Sequence, residues 1–89
     1  MPQAFEKDAN AILDYTVDWT LWLDSDTIST SAWSAESGIT VDSSSSSTTS
    51  ATVWLSGGTA GTVYMVTNRI TTAAGRTDDR RLLIKVVDK

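Results

Sequence analysis

The chain has 89 residues, a formal net charge of −4 and a pI near 4.4. It contains neither Cys nor His, which removes disulfides, thiolate and imidazole catalysis and the usual zinc ligands together. Its acidity argues against a nucleic-acid partner, because phosphate contact needs a net basic surface. Its length fits one domain that buries only roughly 60 to 65% of its unfolded surface.

Residues 1–10, MPQAFEKDAN, are expected to form a partly extended N-terminal arm. Phe5 is their only large apolar side chain, and the charges around it leave the arm no core face of its own. No apolar run reaches the length of a signal peptide or of a membrane span, so the product is expected to be cytosolic when made and to have no membrane partner. The domain proper is expected over residues 11–89.

Leu13, Tyr15, Val17 and Trp19 alternate with Asp14, Thr16 and Asp18, the pattern of a half-buried strand with an inner and an outer face. Residues 20–27, TLWLDSDT, break the alternation because Trp22 and Leu23 are adjacent, and they read as a bend between strands. Asp24 and Asp26 do not open a calcium loop. The third ligand, the glycine and the closing Glu of that motif would fall on Ile28, Ser29 and Ala35. No metal or other cofactor is expected.

Residues 27–35 form the next strand candidate. Ile28 and Trp33 have opposite parity there, so a bulge between them is required if both are to face the core. A buried Trp on the third strand is a feature of immunoglobulin-like sandwiches, although it normally packs on a disulfide that this chain cannot form. Ile39 and Val41 begin another strand, and residues 42–50, DSSSSSTTS, follow without one apolar side chain. That run reads as a flexible loop or a polar edge strand inside one domain, and Ser43 to Ser47 are expected to form a mobile loop because serines offer no apolar area to offset ordering. Ala51, Val53 and Leu55 then face one way and Thr52 and Trp54 the other, which puts Trp54 outside.

Residues 56–61, SGGTAG, precede a strand and lack a following Lys-Ser or Lys-Thr, so they are a crossing between sheets rather than a phosphate cradle. Tyr64, Val66, Asn68 and Ile70 recur with period two, as do Leu82, Ile84 and Val86. With Ala73, Ala74, Gly75 and Arg76 between them, the two runs fit a hairpin. Tyr64 holds the position of a tyrosine corner. Asn68 has inward parity and needs hydrogen-bond partners there. Arg69, Arg76, Arg80 and Arg81 are interleaved with Asp78 and Asp79 and read as a solvated, charge-balanced strand edge.

Serine and threonine fill 26 of the 89 positions. With the short alternating runs, this gives an all-β chain, an immunoglobulin-like β-sandwich of two antiparallel sheets and about seven strands. The expected core is Tyr15, Val17, Trp19, Trp33, Val53, Leu55, Tyr64, Val66, Ile70, Leu82, Ile84 and Val86. No catalytic constellation emerges. Asp78 and Asp79 point to opposite faces of a strand, and Asp14 and Asp18 stand about 13 Å apart along one. The chain is not expected to be an enzyme.

The segments LDYTVDWTLWLDSDTI and ATVWLSGGTAGTVYMVTNRITTAAGRTDDRRLLIKV resemble those of small tailed-phage structural proteins, the phage fiber-tail adaptor or gp77-like family. The resemblance spans residues 8–87. It is most specific at Asp14 to Trp19 and from Trp54 to Arg80. Ala9 stands where similar sequences often carry Pro, and the serine run is longer or more uniform than theirs. The resemblance implies an immunoglobulin-like virion component in the tail or neck region, an adaptor between tail or neck and fibres. Other tail, neck or fibre proteins would be its partners, and it would be multimeric in the virion. It carries over no catalytic residue. Candidate interface residues are Phe5 on the arm, Trp22 and Trp54. The alternative is an adhesion module binding host-surface carbohydrate, with Trp22 or Trp54 stacking on sugar rings. The adaptor reading is preferred, because no aromatic cluster with flanking carboxylates and amides is evident.

Overall fold

The computed structural model describes residues 3–88. Seven strands form two sheets: β1 (Gln3–Asp8), β2 (Leu13–Asp18), β3 (Ile28–Ala35), β4 (Ile39–Ser46), β5 (Ser50–Gly57), β6 (Val63–Thr72) and β7 (Thr77–Val87). A single helical turn, α1 (Thr20–Leu23), joins β2 to β3. One sheet has the order β1-β7-β6-β3 and the other β2-β5-β4. The sets β3-β6-β7 and β2-β5-β4 follow the C-F-G and B-E-D strands of an immunoglobulin sandwich. The first strand lies beside β7, where the constant-type arrangement would place it beside β2.

The period-two runs form the core as expected. Tyr15, Val17, Trp19, Val53, Leu55, Tyr64, Val66, Ile70, Leu82, Ile84 and Val86 are all buried, joined by Leu23, Ile28 and Ile39. The hairpin of β6 and β7 pairs Tyr64 with Ile84 and Val66 with Leu82. Its turn is closed by bonds from Gly75 N to Thr72 O and from Thr72 N to Arg76 O, with Gly75 at φ +92°. The Tyr64 hydroxyl accepts from Thr59 N at 2.9 Å, which completes the tyrosine corner. Gly58 lies under the same ring at φ +94°. A Cβ there would come within 2.6 Å of Val86 Cγ2, so the crossing between sheets tolerates only glycine.

Several expectations change. Residues 3–8 of the expected arm are strand β1, paired parallel to β7 from Gln3↔Leu82 to Asp8↔Val87. Phe5 packs against the core, and the buried Lys7 donates from Nζ to Asp8 O at 2.9 Å and to Gly57 O at 2.8 Å. Four stem methylenes and two satisfied donors make Lys7 a core residue, although its charge suggested a surface position. The expected bend at residues 20–27 contains α1, which turns the adjacent Leu23 inward. The bulge expected between Ile28 and Trp33 is present, between Ile28 and Thr30. Trp33 itself is only half-buried because β3 is a sheet edge, and its indole Nε1 is enclosed without an acceptor.

The mobile loop expected over Ser43 to Ser47 is instead largely the edge strand β4. Ser43 to Ser46 pair with Trp54, Val53, Thr52 and Ala51 of β5, after a register shift between Val41 and Ser43. Ladder hydrogen bonds to β5 supply the order that side chains without apolar area cannot. Two of the four late arginines do more than line a solvated edge. The Arg80 guanidinium lies 4.3 Å from the Trp19 ring centroid, and Arg76 lies 4.3 Å from that of Trp22.

Candidate interaction surface

Trp19, at the end of β2, is fully buried and donates from Nε1 to Asn68 Oδ1 at 2.9 Å. Asn68 Nδ2 in turn donates to Ser31 Oγ and Ala32 O, so the inward amide ties β2, β6 and β3 together. Arg80 covers Trp19 and donates to Asp18 O at 2.9 Å. The hydroxyl of Thr20, followed by its backbone N–H, holds the Asp18 carboxyl below the usual carboxylate range.

Beside this seam, Asp26 joins the α1–β3 loop to the β6–β7 turn. Its carboxylate accepts from Thr27 N at 2.8 Å, Ala74 N at 3.2 Å and Arg76 Nε at 3.2 Å. Thr72 is the largest of the groups that depress its pKa. A recess lined by Leu23, Asp24, Asp26 and Arg76 opens there. Asp26 and Arg76 are already paired there, and Arg76 also donates to Leu23 O at 3.0 Å. Among the described residues no group of three or more carboxylates could hold a metal ion, and no helix is long and apolar enough to cross a membrane.

The three aromatic candidates do not converge. Phe5, on edge strand β1, is half-buried with its ring centroid 5.2 Å from that of Tyr15. Trp22, on α1, is half-buried between Trp19, which it meets edge-on at 5.2 Å, and Arg76. Trp54 stands on the outer face of the three-stranded sheet, 42% exposed, with Asp14 across from it on β2 and Ser43 on β4. Around it, Thr16 and Thr52 share a hydroxyl bond of 2.9 Å, and Ser56 Oγ donates to Asp42 Oδ1 at 2.8 Å. The surface therefore combines one large aromatic plane with carboxylates and hydroxyls. An aromatic plane beside such groups is suited to binding.

Parity alone missed part of this surface. Leu13 has the inward register, opposite Leu55, yet is 39% exposed because the sheet ends there. Ile12, which carried no assignment, is 60% exposed just before it. On the other sheet, Val63 is 51% exposed. Its odd position in β6, out of phase with Tyr64 and Val66, was the available signal.

The family described as podophage GP4 fiber-tail adaptor protein gp77 matches residues 7–85. The chain belongs to this family. No curated protein matches it individually. The match takes in every element except the first strand's opening residues and the last two positions of β7. Membership implies a structural role and a location in the virion tail. The all-β sandwich found here is the scaffold on which this adaptor family member carries Trp54.

Proposed function

We propose that this protein is a non-enzymatic adaptor that links phage tail or neck to fibres through protein–protein contacts, as one of several copies in the particle. The family match over residues 7–85 carries this reading. The surface supports it. Trp54 is an exposed aromatic of the kind on which interface energy concentrates, and β1, β2, β3 and β4 are sheet edges whose backbone groups another chain can complete. Of the three candidate residues, Trp54 is the anchor. Phe5 and Trp22 act indirectly, by holding the edge strand and the α1 turn against the core.

The test is incorporation. Particles assembled with Trp54→Ala in place of the native chain are expected to contain much less of the protein and to lose fibres. The purified variant should melt close to the parent, since an outward side chain leaves no cavity. Normal incorporation of the variant, or absence of the native protein from purified virions, would overturn the adaptor reading.

A further inference from the structure

The sheet edges β1, β2, β3 and β4 differ in how well they are guarded against a further strand. β1 carries Glu6, Lys7 and Asp8, and its Glu6 O already accepts from the Tyr15 hydroxyl at 3.0 Å. β2 carries Asp14 and Asp18, and Asp18 O is taken by Arg80. β4 carries Asp42 and a register shift between Val41 and Ser43. Charges, side-chain bonds and bulges of this kind keep a sheet edge from pairing. β3, ISTSAWSA, has no charge and no proline, and its own irregularity falls before Thr30.

The ladder to β6 fixes which backbone groups of β3 are free. Glu36 N donates to Met65 O, and these two residues continue the register Ala35↔Val66. Bonded and unbonded pairs alternate in an antiparallel ladder. Ser34 and Ala32 therefore bond to Thr67 and Arg69, whereas Ser31, Trp33 and Ala35 turn their N–H and C=O groups away from β6. Among the described residues, no turn or loop backbone bonds to these groups. Ala32 and Ser34, which point outward between them, are small and exposed, so a neighbouring backbone can approach to pairing distance.

We propose that the β3 edge pairs with the β3 edge of a second copy of the chain, antiparallel and centred on Trp33. What selects a second copy is the fit of this segment to itself. With Trp33 opposite its own equivalent, Ser31 falls opposite Ala35 and Ala32 opposite Ser34, so every free N–H and C=O of one strand meets its complement on the other. The two Trp33 indoles become cross-strand neighbours, an aromatic pair of the kind that stabilises sheets. Glu36, the first charge beyond the free stretch, falls opposite Thr30, and its carboxylate already accepts from Met65 N, so no like charges meet. The contact is isologous and closed. It joins two four-stranded sheets into one and leaves neither β3 edge free. This goes beyond the adaptor reading and does not depend on it.

Sedimentation of the purified full-length chain tests the pairing. A monomer–dimer equilibrium is expected as concentration rises towards roughly 1 mM, and added salt should not weaken it, because the edge carries no charge. Ala35→Pro removes a free N–H but no bond to β6, so it should raise the dissociation constant about tenfold or more while the melting temperature stays near that of the parent. Ala32→Lys with Ser34→Lys should abolish the dimer, since like charges would then face each other across it. Mixing that variant with Ala32→Glu, Ser34→Glu should restore a heterodimer. Ser44→Lys with Ser46→Lys, on the β4 edge, should leave the dimer intact. A monomer at every concentration, β3 variants that associate like the parent, a β4 variant that fails to associate, or a mixture that stays monomeric would each overturn the pairing. If the chain is monomeric and Ala32→Lys with Ser34→Lys instead loses incorporation into particles, the edge takes a segment of another virion protein and the second copy is wrong. A chain that dimerises as described but is absent from virions would overturn the adaptor reading alone.

Discussion

Around Trp19 the fold is held by side chains, whereas along β4 it is held by backbone. The indole of Trp19 is bonded to Asn68, packed edge-on by Trp22 and covered by Arg80, so three elements meet on one residue. Ser43 to Ser46 present only small exposed side chains and are ordered through pairing with β5. The same sheet thus contains a position where chemistry is irreplaceable and a strand where almost any small polar residue would serve. A low-complexity run is compatible with a fixed structure when a neighbouring strand supplies its hydrogen bonds.

The sharpest way to break that contrast is Trp19→Ala. It empties the centre of the seam and should cost about 3 to 5 kcal/mol, a large part of the stability of a domain of this size. Asn68→Leu should cost less, about 1 to 3 kcal/mol, through the unmet Trp19 Nε1–H and the bonds lost to β3. Chemical denaturation of both variants checks the order. Equal and negligible losses would show that the seam is not a keystone.

An acid titration of stability probes the other linkage at the same end. The folded-state pKa values of Asp26 and Asp18 are lowered, Asp26 first by Thr72 and Asp18 first by Thr20. A depressed carboxylate stabilises the fold fully above its unfolded value of about 3.9 and loses that contribution as pH falls through the folded value. Stability should therefore hold from neutral pH to about 5 and decline below about 4. Asp26→Asn should flatten that acid limb, and an unchanged limb would show that Asp26 does not carry it.

The smallest effect is expected in the serine strand. Ser45→Ala should change stability by no more than about 0.5 kcal/mol, because the residue is exposed and its ladder bonds are made by backbone. The amides of β4 that bond to β5 should nevertheless exchange slowly. Fast exchange throughout residues 43–46 would show that the strand is not held as described.

Much of the sandwich was legible because its signals are local. Alternation in residues 13–19, 51–55, 64–70 and 82–86 assigns faces without knowledge of any partner, since successive side chains on a strand point to opposite sides. The same rule placed Trp54 outside and Asn68 inside. It could not say that the Asn68 amide meets Trp19, a residue 49 positions away. The arm was misread for a related reason. Nothing in MPQAFEKD announces a core strand, because its order comes from β7 and from the acceptor Gly57 O that Lys7 reaches across the sandwich.

The sequence by itself determined the all-β class, the two faces of each regular strand, the hairpin of β6 and β7 with its glycine turn, the tyrosine corner, and the lack of thiol and imidazole chemistry. These follow from side-chain period, residue type and backbone freedom over a few neighbouring positions. Only the tertiary structure decided that the first strand runs parallel to β7, that the serine run is a paired edge, and that Arg76 and Arg80 cover tryptophans. Each of these depends on contacts between residues distant in the chain, and the energy of such a contact is set by what folding brings to it.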